Sequence, residues 1–174
     1  MGIEIERKFI VPLEHHHQFI HLKGGTHLIQ AYLSTDPARI VRLRVAEQDN
    51  IRTAKLCVKG PSREGGMVRT EWEQSVDSDW AMDIINNLAP PFLHKTRHRV
   101  YHNKDLWEVD VMPIGIDGQS LVVAEFEAPT VTEANAVLRP PWVGPDVTGD
   151  EMFVASNLLS HSARTIAWRH VYER

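Results

Sequence analysis

Charged side chains alternate with apolar ones near the start of this sequence. In residues 3–11, IEIERKFIV, the side chains of Glu4, Glu6 and Lys8 fall two positions apart. If this stretch is a β-strand, all three project from one face, because successive side chains of a strand point to opposite sides. The other face is mostly apolar and packs on a core, so the charged face looks toward water or into a polar cavity. A charged row of this kind could hold a highly charged ligand.

The same alternation recurs in later stretches, where acids and bases come in blocks. The acids on the charged faces are Glu4, Glu6, Glu71, Glu73, Glu108, Asp110, Glu125 and Glu127, and the bases are Lys8, Arg42, Arg44, Lys59, Arg69, Lys95, Arg97 and Arg99. An open sheet would show these faces to solvent. A closed barrel would instead enclose them around a charged ligand and would leave no sheet edge exposed. The pattern by itself allows both arrangements.

Eight segments have the alternation and the turn boundaries expected of strands in antiparallel hairpins. They are residues 3–11, 27–34, 39–47, 52–60, 67–76, 95–101, 105–112 and 121–127. A helix that ends near residue 88 is predicted to begin at an Asp77 or Ser78 cap, and a short helix is predicted over residues 132–139. An amphipathic stretch follows at residues 150–159. Residues 160–174 are compatible with either a docked helix or a frayed tail.

The composition is that of an ordinary soluble protein. With 174 residues, 43% of them hydrophobic, and a net charge of -4, the chain is expected to form one domain, residues 1–174, as a monomer or homodimer that does not bind nucleic acid. No apolar run approaches the roughly 20 residues that span a bilayer, so no membrane association is expected. The single cysteine, Cys57, and the lack of a charged-then-apolar leader predict a cytoplasmic location.

Two stretches look like functional motifs but predict loops. The consecutive His15, His16 and His17 cannot converge on one metal ion in a regular element, so a solvated loop is predicted. Residues 60–66, GPSREGG, lack the lysine and serine or threonine ending of a nucleotide-binding P-loop, which favours a hairpin loop.

The opening EIERKF resembles the ExExK signature of the CYTH superfamily, whose members are also called triphosphate tunnel metalloenzymes, with Glu4, Glu6 and Lys8 in the three motif positions. The resemblance continues in order through AYL (31–33), RLR (42–44), CVKG (57–60), RTEWE (69–73), KTR (95–97), WEVDV (107–111), AEFE (124–127) and PPWVGPDVT (140–148). The order and the short length are most similar to the compact bacterial members. The resemblance implies an α+β, mainly β fold, an eight-stranded antiparallel closed barrel with a few flanking helices.

The resemblance also implies a role for each charged row. Carboxylates are hard oxygen ligands that suit Mg²⁺ or Mn²⁺, and the implied metal ligands are Glu4, Glu6, Glu125 and Glu127. Lysine and arginine neutralise phosphate oxygens, and the implied substrate-binding residues are Lys8, Arg42, Arg44, Lys59, Arg69, Lys95 and Arg97. The implied catalytic residues are Lys8, Lys95 and Tyr32. Tyr32 either orients a lysine or the attacking water, or only packs.

Two structural expectations follow from these roles. Glu4, Lys8, Arg44, Lys95 and Glu127 should line one cavity. If the basic row is crowded with like charge, replacing Arg44, Lys59 or Arg97 with alanine should leave stability unchanged or raise it.

The implied activity is metal-dependent hydrolysis of a triphosphate substrate, either inorganic tripolyphosphate or a nucleoside or other organic triphosphate. The superfamily also includes class IV adenylate cyclases and thiamine triphosphatases, and the motifs do not separate these activities. A non-catalytic sensor of polyphosphate or nucleotide also remains open, whereas the ionic interior disfavours a carrier of apolar ligands. Met152 stands where compact members usually have a basic residue, which predicts a tunnel end that is closed differently.

Overall fold

The period-two alternation of the sequence becomes eight antiparallel strands that close into a barrel, which confirms the fold that the resemblance implied. The computed structural model describes residues 2–114 and 119–173. The strands are β1 (Gly2–Ile10), β2 (Thr26–Ser34), β3 (Ile40–Gln48), β4 (Ile51–Arg63), β5 (Val68–Val76), β6 (Phe92–His102), β7 (Asp105–Pro113) and β8 (Ser120–Glu127). Their order around the barrel is β1-β5-β4-β3-β2-β6-β7-β8, and β8 pairs again with β1.

The strand register places side chains of opposite charge next to one another. Lys8 of β1 lies opposite Glu125 of β8. Lys59 of β4 lies opposite Glu71 of β5, and the same pairing of a base with an acid recurs between β6 and β7. Directly opposed residues of an antiparallel pair have neighbouring Cβ atoms, so these side chains share one face.

Among the described residues, four α-helices flank the barrel: α1 (His17–Ile20), α2 (Ser78–Leu88), α3 (Val131–Ala136) and α4 (His161–Tyr172). The Asp77 carboxylate caps α2 by accepting hydrogen bonds from the backbone N–H groups of Asp79 and Trp80, as the sequence predicts. The chain after residue 160 forms a helix capped by Ser160 rather than a frayed tail. None of the helices in the described ranges is long and apolar enough to cross a membrane.

Apolar clusters on the outer wall explain why the charged faces point inward. Leu43 and Val45 of β3 pack with Ala54 of β4 under Ala81 and Ile85 of α2. A second cluster, centred on Phe9, Trp107 and Phe126, packs with residues of α1 and α3. Because these buried residues alternate with the charged ones, the charged residues face the barrel interior.

At one end of the barrel the inward-facing positions become apolar. Lys8 is followed on its face by Ile10, and Glu125 is preceded by Val123. These apolar residues form a cluster with Phe153, Leu158 and Trp168 from the C-terminal part of the chain. The stretch predicted to be amphipathic forms two one-turn 3-10 helices, Glu151–Phe153 and Ala155–Asn157.

Two local predictions need correction. His16 is not solvated, because the 3-10 turn at Leu13–His15 directs it inward, where its Nε2 atom lies 2.9 Å from the carbonyl oxygen of Val11. The same carbonyl accepts a hydrogen bond from the Tyr172 hydroxyl at 2.7 Å, so α4 is attached to the end of β1. The loop predicted at residues 60–66 is shorter, since β4 continues to Arg63 and only Glu64–Gly66 forms the hairpin tip.

Candidate active site

A cavity of about 380 Å³ lies inside the barrel, and its wall contains every predicted site residue except Glu127. The predicted residues that it contains are Glu4, Glu6, Lys8, Tyr32, Arg42, Arg44, Lys59, Arg69, Lys95, Arg97 and Glu125. These residues come from seven strands, β1 to β6 and β8, and each occupies an inward-facing position of its strand. Seven of these wall residues are basic, so the site is suited to a polyanion.

Glu127 does not share the cavity. It is the last residue of β8, is exposed, and lies opposite Glu6 in the register between β1 and β8. Partial burial and the nearby carboxylates of Glu4 and Glu108 raise the pKa of Glu127. The expectation that it lines the cavity is therefore not met, while its role as a metal ligand stays a prediction.

Three carboxylates inside the cavity carry unequal amounts of compensating charge. Glu4 accepts hydrogen bonds from Lys59 Nζ at 2.8 and 2.6 Å, and Glu125 lies 3.1 Å from Lys8 Nζ. Burial raises the pKa of Glu125, but Lys8 and Arg97 outweigh this and hold the pKa well below its usual range. Burial and the Glu125 charge raise the pKa of Glu6 to about 7, despite Lys8 at 3.4 Å. This group of carboxylates therefore has room for one more positive charge.

Asp110 of β7 holds two cations of the site, and one of them, Arg97, also donates to Glu125 on the neighbouring strand β8. The Asp110 side chain is 1% exposed, and it accepts a hydrogen bond from Lys95. Arg97 binds it through two nitrogens, with Nε 2.7 Å from Oδ1 and Nη2 2.6 Å from Oδ2. Burial raises the pKa of Asp110, but the two cations outweigh it and lower the pKa. Asp110 was not among the predicted site residues, although its position two residues from Glu108 on one face was a usable signal.

Arg42 differs from these paired cations. Its side chain is buried, and it makes no hydrogen bond or ion pair with any residue in the described ranges 2–114 and 119–173. Burial lowers its pKa, but the fields of Tyr32, Cys57 and Glu71 outweigh burial and raise the pKa, so the guanidinium stays charged. A buried charge without a partner is costly, which makes Arg42 a ready binding partner for an anion. Arg69 likewise makes no ion pair within the described part of the chain.

On the side of the barrel formed by β3, β4 and β5, further groups are paired with one another. The Cys57 thiol donates a hydrogen bond to Glu71 Oε1 at 2.6 Å. Glu73 accepts hydrogen bonds from Arg44 Nη2 at 2.6 Å and from Lys55 Nζ at 2.5 Å. Burial raises the pKa of the Cys57 thiol to about 11, so the cysteine is an uncharged packing group. Cys57, Glu71 and Glu73 were not among the predicted site residues.

Residues 144–148, which we call the edge segment, complete the wall beside β1. β1 pairs with β5 only from Gly2 to Ile5. Beyond that point the edge segment takes over, since the Val147 N–H donates to the Lys8 carbonyl at 2.8 Å and the Lys8 N–H donates to Thr148 Oγ1 at 2.9 Å. An ion pair between Arg7 and Asp146 holds the segment from outside. The edge segment thus fixes the backbone that presents Lys8.

Met152 and its neighbours lie at the tunnel end, where the sequence predicts a different closure. Met152 does not line the cavity and instead packs against the apolar cluster at the barrel end. Its neighbours Asp150 and Glu151 do line the cavity, together with Ser156 and Asn157. This end of the site therefore presents acidic and neutral polar groups in place of a cation.

Comparisons with known proteins agree with this geometry. No family model matches the chain. The chain is 35% identical over 163 residues to an inorganic triphosphatase of Acetivibrio thermocellus, covering 92% of this chain and 96% of that protein. It is 30% identical over 154 residues to an inorganic triphosphatase of Nitrosomonas europaea, covering 86% of this chain and 92% of that protein. A solved crystal structure of an inorganic triphosphatase superposes with a TM-score of 0.55 at 25% identity, covering 91% of this chain and 95% of that one.

The fold and the site define a closed antiparallel β-barrel whose interior holds a mixed array of acids and bases around a cavity. A relative at 35% identity along almost the whole of both chains adds the family to this class. The chain belongs to the CYTH, or triphosphate tunnel metalloenzyme, superfamily.

Proposed function

We propose that this protein is a metal-dependent triphosphatase that hydrolyses inorganic tripolyphosphate. The observation that carries the proposal is Arg42, a buried and unpaired guanidinium in the wall of an internal cavity with seven bases. A polyphosphate chain would supply the missing partner oxygens, and arginine can bind them bidentately. The names of the two similar triphosphatases support this choice of substrate.

The substrate-binding residues of the proposal are Lys8, Arg42, Arg44, Lys59, Arg69, Lys95 and Arg97. Most of these cations already pair with a carboxylate, as Lys59 does with Glu4 and Lys95 with Asp110. A bound phosphate chain competes for these cations, whereas Arg42 and Arg69 are available from the start. We therefore assign the first contact with substrate to these two arginines.

The carboxylates fit a divalent metal. Glu4, Glu6 and Glu125 supply the hard oxygen donors that Mg²⁺ and Mn²⁺ prefer, and the raised pKa of Glu6 supports a site that takes up a further positive charge. Glu127 would reach the ion from the barrel end where β8 finishes. When bound, such an ion would polarise a phosphoryl oxygen and lower the pKa of an attacking water.

The chain's own groups supply the remaining catalysis, which in phosphoryl transfer is mainly positioning and charge stabilisation. Lys8 pairs with Glu125 and Lys95 pairs with Asp110, and both lysines would neutralise charge on the transferred phosphoryl group. Tyr32 is buried beside Arg42 in the strand register, where its hydroxyl can orient a lysine or the attacking water.

We also propose that the protein is located in the cytoplasm, because the free, buried thiol of Cys57 suits a reducing compartment. We propose that it is a monomer or a homodimer.

Phosphate release from tripolyphosphate tests the proposal. The wild-type protein should release phosphate with Mg²⁺ or Mn²⁺ and should lose this activity in EDTA. Arg42→Met should weaken substrate use by a hundredfold or more while retaining the fold, because it removes a buried charge that forms no ion pair with a described protein group. Undiminished hydrolysis in EDTA would contradict the metal requirement.

The products from ATP separate the remaining activities. Cyclic AMP with pyrophosphate would identify an adenylate cyclase, and preferential turnover of thiamine triphosphate would identify a thiamine triphosphatase. Tight binding of tripolyphosphate without any product would indicate a sensor instead of an enzyme.

A further inference from the structure

Gln30 is an anomaly inside the barrel. Its side chain is 1% exposed, yet neither Nε2 nor Oε1 has a hydrogen-bond partner in the described parts of the chain. Buried amides are nearly always hydrogen-bonded, and leaving both ends of one unpaired is costly. A methionine of similar shape would avoid this cost, so the amide at this position needs an explanation.

The strand register places Gln30 among cations of the proposed site. It lies directly opposite Arg44 of β3 and opposite Leu93 of β6, so that Lys95 is its diagonal neighbour on the inner face. Tyr32, two residues along β2, lines the cavity on the same face. Gln30 is therefore surrounded by groups that the proposed function assigns to the phosphate chain, although it is not itself part of the cavity wall.

The two neighbouring cations point away from Gln30 toward carboxylates. Lys95 donates to Asp110, and Arg44 donates to Glu73 at 2.6 Å. Burial and nearby cations lower the pKa of both Lys95 and Arg44, so positive charge is crowded on both sides of the amide. A side-chain amide between two cations can accept a hydrogen bond from one of them through its oxygen. Its N–H group can then donate a hydrogen bond to an anion that the other cation binds.

We infer that Gln30 is a substrate-positioning residue whose amide becomes hydrogen-bonded only when a phosphate chain occupies the tunnel. In that state Nε2–H donates to a phosphate oxygen, and Oε1 accepts from Lys95 or Arg44. The inference rests on the proposed function and extends it by one residue. It also explains why position 30 has a polar side chain, although an apolar side chain there would make the ligand-free protein more stable.

The test compares Gln30→Met with the wild type, because methionine keeps the length of the side chain and removes both polar atoms. The free protein should melt at the same temperature as the wild type or higher. Tripolyphosphate binding without metal, measured by calorimetry, should weaken about 10- to 100-fold, as expected for loss of a hydrogen bond to a charged group. Turnover with Mn²⁺ should show a raised KM.

Gln74→Met is the matched control. Gln74 lies on β5 opposite Leu56, at an outward-facing position of the barrel, and is exposed. It should change neither the melting temperature nor tripolyphosphate binding. A purely structural Gln30 predicts the opposite result for Gln30→Met, with lower stability and unaltered affinity of the folded protein.

A second measurement does not depend on how the variant folds. The side-chain amide resonances of Gln30 in the wild-type protein should shift when tripolyphosphate is added without metal, and their hydrogen exchange should slow. Unchanged resonances, or equal affinities of wild type and Gln30→Met, would overturn the inference alone. A wild-type protein that does not bind tripolyphosphate would overturn it together with the proposed function.

Discussion

Single substitutions inside the barrel should have different consequences according to whether the residue already has a partner. Lys59 and Arg97 are held by carboxylates, and Arg97 alone contacts Asp110, Glu108 and Glu125. The sequence suggested that losing such a cation would relieve repulsion. The ion pairs contradict that expectation, because removing one partner leaves buried charge uncompensated. Among the cations of the described cavity wall, Arg42 and Arg69 form no ion pair, so the loss of either one should still relieve repulsion.

Asp110→Asn should be the most damaging of these changes to the fold. The substitution leaves Lys95 and Arg97 without their buried counter-ion, so the free energy of unfolding should fall by about 3–5 kcal/mol. Denaturant unfolding measures this loss. Asp49→Asn, at an exposed turn where the backbone has a φ of 52° that asparagine tolerates, should be nearly neutral. Equal stabilities of the two variants would show that the Asp110 cluster is not a stabilising unit.

Glu6→Gln should instead separate function from fold. Glu6 is partly buried with too little compensating charge, so a neutral amide should leave the free energy of unfolding unchanged or raise it by about 1 kcal/mol. Mn²⁺-dependent phosphate release should be lost, while tripolyphosphate binding without metal should persist or tighten. Glu47→Gln, which removes an exposed strand carboxylate paired with Arg52, is the control. Full activity of Glu6→Gln would rule out the assigned metal site.

At the level of elements, local patterns predicted the strands well and the long-range pairings poorly. The eight strands and α2 follow from alternation and caps that lie within a few residues of one another. The edge segment could not be predicted, because it has no alternation and joins β1 across about 140 residues of sequence. The burial of His16 was missed for the same reason, since Tyr172 lies 156 residues away from it.

The residue directly after the edge segment contacts the β4–β5 hairpin tip, and this contact needs glycine at position 149. Gly149 has a φ of 77°, and a Cβ there would lie 1.9 Å from the carbonyl oxygen of Gly65. Gly65 also has a positive φ, 63°, but its own Cβ would meet open space. Gly65→Ala should therefore cost about 1–2 kcal/mol from backbone strain alone. Gly149→Ala should cost clearly more in denaturant unfolding, and equal costs would show that the two segments separate easily.

The attachment of α4 should weaken in acid. His16 is buried and neutral, and burial lowers its pKa despite the Val11 carbonyl and the nearby Glu14 carboxylate. A lowered pKa means that the unfolded chain binds the proton more readily, so this contribution to stability is complete above about pH 6.5 and is lost as the pH falls below it. His16→Gln keeps a donor for Val11 but does not titrate. Its stability should therefore fall less than that of the wild type between pH 7 and pH 5, as measured by thermal unfolding.

For the whole molecule, the sequence could not choose between an open sheet and a barrel without the family resemblance. Closure depends on β1, which pairs with β5 through four residues and with β8 through five. The alternation of charged and apolar residues indicates only which residues share a face of a strand. The same alternation is expected for an open sheet with a solvent-exposed charged face and for a barrel that encloses that face. The apolar clusters outside the barrel decide the question, since they place Leu43, Phe9 and Trp107 under helices and leave the charged residues no other side.

The buried thiol of Cys57 gives this protein a built-in reporter of how often its interior opens. It is the single cysteine of the chain, and it lies on β4, where its thiol donates a hydrogen bond to Glu71 of β5. A disulfide reagent can reach it only during a local opening, so the labelling rate in native buffer measures the free energy of that opening. Tripolyphosphate with Mn²⁺ should slow labelling severalfold, because a ligand held by both strands must leave first. Labelling at the rate of a free thiol, with or without ligand, would mean that the two strands part at negligible cost.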